Sequence, residues 1–155
     1  MQTETQSNSA ADFQTTFTVE QTPAQVFDAI VDVASWWSGK VVGSSAHLGD
    51  VFTYEVEGMH FSRQNVVDFV PGKRLVWHVT DAELTFVKDR DEWKGTDIVF
   101  EITKSGDQTE VRFTHRGLTP ADECFKQCSG GWSALVGRNL RARITTGKPQ
   151  PSPWG

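Results

Sequence analysis

The run "FKQCSGGWSALVGRNLRARITT", residues 125 to 146, carries Phe125, Cys128, Trp132, Leu135, Val136, Leu140 and Ile144 at spacings of three and four, with Arg138, Arg141 and Arg143 mostly on the other side. Residues so spaced stack on one face of a helix, so the run predicts an amphipathic helix of about five turns. Thr119-Pro120-Ala121-Asp122 reads as its start and Gly147 as its stop, while Gly130-Gly131 reads as a break into a short and a long piece. A helix with one wide apolar face must bury it against a second layer. The rest of the chain has to supply that layer.

It does so with strands. "TDIVFEITKSGDQTEVRFTH" (96–115) is a hairpin around Ser105-Gly106-Asp107 in which Ile98, Phe100 and Ile102 share a face with Val111, Phe113 and His115. "HFSRQNVVDFVPGKRLVWHVT" (60–80) is two strands joined at Val70-Pro71-Gly72-Lys73, since Pro then Gly is a strong turn pair. "FQTTFTVEQ" (13–21), "DVFTYEVEG" (50–58) and "ELTFV" (83–87) alternate or run apolar in the same way, and "KDRDEWKG" (88–95) reads as a solvated hairpin tip. Between the first two strands, "TPAQVFDAIVDV" (22–33) opens with a capping box of Thr22 and Gln25 around Pro23, then presents Val26, Phe27, Ile30 and Val31 as one stripe. A second short helix is expected over 32–37, closed by Gly39.

The fold class is therefore α+β: a strongly curved antiparallel sheet of six to seven strands around a long C-terminal helix, with two short helices after the first strand. A flat sheet would leave the flanks of the helix wet. Where a curved sheet and the helix diverge, a cavity is left. The domain is expected over 12–146, between a polar, disordered tail at 1–11 and a Pro-rich, extended tail at 147–155.

With 155 residues the chain fits one such domain. Its formal charge of -5 carries no basic stripe, which argues against nucleic acid as a partner. No run approaches the ~18 apolar residues of a membrane span, and the start "MQTETQSNSAAD" has neither a basic nor an apolar segment, so a cytoplasmic protein is expected. Cys124 and Cys128 are too few for a disulfide framework and lack zinc spacing; the four histidines show no ligand-pair spacing either, so neither metal nor cofactor is expected. No nucleophile elbow or phosphate-cradling loop occurs, and nothing demands an enzyme.

Thr22-Pro23 with its Val26, Phe27, Ile30 helix, then Trp36-Trp37-Ser38, "VVDFVPGKRLVWHV" (66–79), "TEVRFTHRGL" (109–118) and Gly131-Trp132 with Leu135 and Leu140, in this order, resemble the START-related superfamily. Within it they are most similar to the branch of homologues of the activator of the heat-shock protein 90 ATPase. The resemblance implies a helix-grip fold with a hydrophobic cavity between sheet and helix. It also implies relatives that bind lipids, sterols or polyketides, some that are cyclases or aromatases, and one that acts on a chaperone.

The candidate site follows from both readings. Phe52, Tyr54, Phe61, Trp77, Phe100 and Phe113 are expected on the inward face of the sheet, opposite Trp132 and Val136 of the long helix. Trp36 and Trp37 are expected at the mouth, one ring sealing the sheet edge and its neighbour pointing across the opening, and His115 at the end of its strand is either a satisfied core residue or a ligand contact. The expected function is binding of a small hydrophobic molecule, lipid or aromatic, by a non-catalytic carrier. The alternatives are a chaperone-associated interaction module, with a chaperone or a second copy of the chain as partner, and a cyclase-like enzyme using Tyr54 or His115.

Overall fold

The computed structural model describes residues 12–37, 40–85, 87–88 and 90–150. The expected tail at 1–11, the stop at Gly39 and residues 151–155 of the Pro-rich tail lie outside them. Seven strands form one antiparallel sheet: β1 (Phe13–Val19), β2 (Lys40–Gly43), β3 (Val51–Val56), β4 (His60–Val70), β5 (Arg74–Leu84), β6 (Asp97–Ser105) and β7 (Gln108–Arg116). Their order is β1-β7-β6-β5-β4-β3-β2, so β1 closes over from the far end and β2 is the opposite edge. The register of β6 and β7 pairs Ile98 with His115, Phe100 with Phe113 and Ile102 with Val111, the shared inward face expected from their alternation. Two register shifts between β4 and β5, at Arg63/Gln64 and Val66/Asp68, add the local twist that bends the sheet.

Between β1 and β2, α1 (Pro23–Val31) starts on the expected capping box: Gln25 N donates to Thr22 Oγ1 at 3.2 Å and Thr22 N to Gln25 Oε1 at 2.9 Å. The expected second helix is only a single 3₁₀ turn, Val33–Ser35. "ELTFV" is not a strand of its own, because β5 runs on through Leu84 and the chain then turns at Thr85.

The C-terminal helix differs from expectation at its start and its middle. Thr119 to Asp122 form turns, with Asp122 Oδ2 accepting from Thr119 N at 2.8 Å, and helical hydrogen bonding begins only at Phe125. From there α2 (Phe125–Ala134), a π-helical segment (Leu135–Leu140) and α3 (Arg141–Thr146) follow without interruption over 22 residues. The glycine pair does not break it; the irregularity lies one turn later. Gly147 ends it in a left-handed conformation, φ 74°, with its N–H bonded to Arg143 O. The buried stripe contains Cys128, Trp132, Leu135, Val136, Leu140 and Ile144, all facing the sheet core, whereas Phe125 is half-buried.

Candidate functional site

Both members of the tryptophan pair are buried, and they have different jobs. Trp36 donates through Nε1 to Ile30 O at 3.2 Å and meets Phe100 edge-on, filling the core under α1. Trp37 stacks on Trp36 at 5.7 Å and reaches outward to Tyr54 at 4.5 Å and Trp132 at 5.3 Å. The turn that carries them is pinned from the long helix: Asn139 Nδ2 donates to Trp36 O at 3.3 Å and Arg143 Nε to Ser35 Oγ at 3.0 Å. Asn139 lies in the π-helical segment, where the widened turn re-aims side chains relative to a regular helix.

Where β3, β4 and the N-terminal half of the helix diverge, there is a cavity of about 390 Å³. Its walls are Trp37, Tyr54, Val56, Met59, His60 and Trp93 on one side and Gln127, Cys128, Gly131, Trp132 and Leu135 of the helix on the other. Met59 and Gln127 are exposed at its rim. Among the described wall residues none carries a charge at neutral pH, because burial pulls the His60 imidazole down to about 4.

Three of the expected site residues, Trp37, Tyr54 and Trp132, line this cavity. Trp36, Phe52, Trp77, Phe100, Phe113 and Val136 are buried behind it as packed core, because the sheet closes on the helix along most of its length. Phe61 is on the opposite face of β4, paired with Glu83, since the inward positions of that strand are His60, Ser62, Gln64 and Val66.

His115 is also behind the wall, and its hydrogen bonds fix its state. The indole N–H of Trp132, which can only donate, reaches Nδ1 at 2.9 Å, so Nδ1 carries no proton. Thr96 Oγ1 gives its own proton to Trp93 O at 2.6 Å, so at 2.9 Å it accepts from His115 Nε2. The ring is therefore neutral with both nitrogens engaged, and burial, with His60 nearby, pulls its pKa down to about 3. Thr96 reaches it because Gly117 has φ 98° and no side chain; a Cβ there would lie 2.6 Å from Thr96 Cγ2. No atom of His115 is left over for a molecule in the cavity.

Sequence reasoning missed Trp93 and His60. The loop at 88–95 is not simply a solvated tip: Trp93 is 5% exposed, stacks on Trp132 at 5.5 Å with rings 10° apart, and stands edge-on to His60 and His115. A tryptophan among charged residues was the available signal, since so large a ring seldom stays in water. Glu92 ties the loop down, its carboxylate accepting from Glu123 N at 2.6 Å and Cys124 N at 2.9 Å at the start of α2. Glu92→Ala is expected to cost about 1 kcal/mol, as loss of a helix cap does. Urea unfolding at neutral pH measures it, and an unchanged midpoint would mean that water replaces the carboxylate at no cost.

The two cysteines are free and buried. A hydrogen bond with Cys128 and then burial push the Cys124 thiol up, away from the thiolate a nucleophile needs. Among the described residues no cluster of ligating side chains could hold a metal ion, and no helix is long and apolar enough to cross a membrane.

Known proteins place this geometry. Three solved structures share the fold at low identity. The Aha1 dimer from Colwellia psychrerythraea has TM-score 0.71 and 20% identity, over 89% of this chain and 98% of that one. An HSP90 activator from Plasmodium falciparum has TM-score 0.61 and 15% identity, over 89% and 97%. DynU16, a putative protein in the dynemicin biosynthetic locus, has TM-score 0.62 and 20% identity, over 88% of this chain and 48% of that one. No curated protein sequence matches. The family model described as activator of Hsp90 ATPase homolog 1-like protein matches residues 20–145, and with the curved seven-stranded sheet and its gripped helix it shows that the chain belongs to that family.

Proposed function

We propose that the protein binds a small, uncharged, flat hydrophobic molecule in the cavity between β3, β4 and the long helix. The observation that carries this is the composition of the wall: four large aromatic rings, Trp37, Tyr54, Trp93 and Trp132, around about 390 Å³, with few polar groups and no charge among the described residues. Apolar pockets of this size with a small number of placed polar groups are what small-molecule sites look like. His115 contributes by orienting Trp132, not by touching the ligand, which leaves Tyr54, His60 and Gln127 as the polar side chains of the wall. The reading is of a binder or carrier.

The neutral dye N-phenyl-naphthylamine tests it. The expected result is a single saturable site, with dye emission rising and tryptophan emission falling together. At a hundredfold excess over the dissociation constant, the dye should raise the unfolding free energy by about 2.7 kcal/mol. Cys128→Phe, which places a ring in the cavity, should abolish binding without unfolding the protein. A dye that stays dark at every concentration overturns the reading.

Family membership favours a second reading, in which the chain acts on a heat-shock protein 90 chaperone, as the HSP90 activator from Plasmodium falciparum among its fold neighbours is named for doing. Exposed Val42, Val51 and Val67 on the β2–β4 side of the sheet are an apolar surface such a partner, or a second copy of the chain, could cover. Stimulation of the chaperone's ATPase by the purified protein is the measurement; no stimulation at saturating protein removes this reading and leaves the first untouched.

A further inference from the structure

Strand β4 breaks the rule of its neighbours. Its outward face carries Phe61, while the inward positions hold His60, Ser62 and Gln64, of which Ser62 and Gln64 are fully buried. Burying polar groups against an apolar core costs stability unless they are paired, and local rules of this kind are broken mainly at functional sites. Here they are paired in series. Gln64 Nε2 donates to Ser62 Oγ at 3.1 Å, and Ser62 Oγ lies 3.1 Å from His60 Nε2. Gln64 Oε1, by contrast, is buried without a partner among the described residues.

The direction of the series follows from proton counting. With the Gln64 amide nitrogen turned toward Ser62, the only acceptor among the described residues within reach of the Ser62 hydroxyl proton is His60 Nε2. A neutral ring that accepts at Nε2 carries its proton on Nδ1. Nδ1 has no partner among the described residues, and the ring that bears it is part of the cavity wall beside Tyr54 and Trp93. Every donor in the chain thus points from the core toward the cavity.

We propose that His60, oriented by Ser62 and Gln64, is the specificity-determining donor of the cavity, selecting flat, uncharged aromatic molecules that carry a carbonyl oxygen on one edge. This rests on the cavity being a binding site. It goes further in naming the group that is read, a hydrogen-bond acceptor, and the atom that reads it. A carboxylate is not the expected ligand, because the neutral ring offers one N–H and no positive charge.

Fluorenone and fluorene test this, since they share one tricyclic skeleton and differ by a carbonyl in place of a methylene. Tryptophan quenching should show fluorenone binding at least about fivefold tighter to the wild-type protein, the size of one net hydrogen bond. His60→Phe should equalise the two while both still bind, and Ser62→Ala, which leaves the ring free to change tautomer, should narrow the gap. Imidazole nitrogen shifts by NMR on the wild-type protein should place the His60 proton on Nδ1. Equal affinities in the wild type, a preference that survives His60→Phe or is unchanged by Ser62→Ala, or a ring protonated on Nε2 each overturn the inference alone. Failure of both tricycles and of the naphthylamine dye to bind removes the cavity reading, and this inference with it.

Discussion

Trp132→Ala should lower the unfolding free energy by about 3–5 kcal/mol, the range for removing a large buried ring, and should take away one of the four aromatic walls of the cavity. The ring is 2% exposed and touches Trp37, Trp93, Phe113 and His115, so it joins the helix, the tryptophan turn, the loop at 88–95 and the sheet. Removing it also strands the Nδ1 lone pair of His115, a buried acceptor whose lost partner costs about 1–3 kcal/mol by itself. Trp132→Phe separates the two contributions: it keeps most of the apolar area, loses only the N–H, and should show the smaller loss. Equilibrium urea unfolding of the three proteins decides. A loss under about 1 kcal/mol for the alanine variant would mean that the ring is not where sheet and helix are joined.

Acidification should destabilise the fold well above the pH at which carboxylates titrate. His115 has its pKa pulled from 6.5 down to about 3 in the folded protein, so between those values the unfolded chain binds a proton that the folded chain refuses. Its contribution is therefore present above about pH 6.5 and is lost progressively as pH falls, amounting to about 2 kcal/mol between pH 7 and pH 5. His60, pulled down to about 4, adds a loss of the same sign over the same window, reduced because its ring partly faces the open cavity. The physical obstacle at His115 is specific: a proton on Nδ1 would point at the Trp132 N–H 2.9 Å away. His115→Gln offers an oxygen to that N–H and an N–H to Thr96 without titrating, and should flatten the slope between pH 7 and pH 5. A slope unaltered in this variant would place the titrating group elsewhere.

Most of the layers were legible in the sequence because they follow from local rules. The capping box at Thr22, the turn at Pro71-Gly72, the shared face of Ile98 to Ile102 with Val111 to His115 and the stripe from Cys128 to Ile144 each depend on spacing within a few residues. The helix start failed for a related reason. Thr119 and Asp122 satisfy one another in a turn, so a cap-like sequence closed on itself and left the true helix end to Glu92, which is far away in the chain.

The candidate site was only partly legible. Large inward rings announced an aromatic core, and Trp37, Tyr54 and Trp132 were found that way. Which rings would fill space and which would border it depends on where the sheet leaves the helix, a property of the bends in β4 and β5 and not of any one residue type. Phe61 and His60 show the limit most plainly: one looks like core and faces out, the other looks like surface and faces in.

By itself, then, the sequence determined the order of elements, the amphipathic helix and the single sheet that must cover it, because periodicity and turn chemistry act over short distances. Only the tertiary structure decided the parity of β4, the burial of Trp93 and the proton state of His115. Each of those depends on partners brought together from strands, loop and helix far apart in the chain, and nothing in local spacing fixes which of them meet.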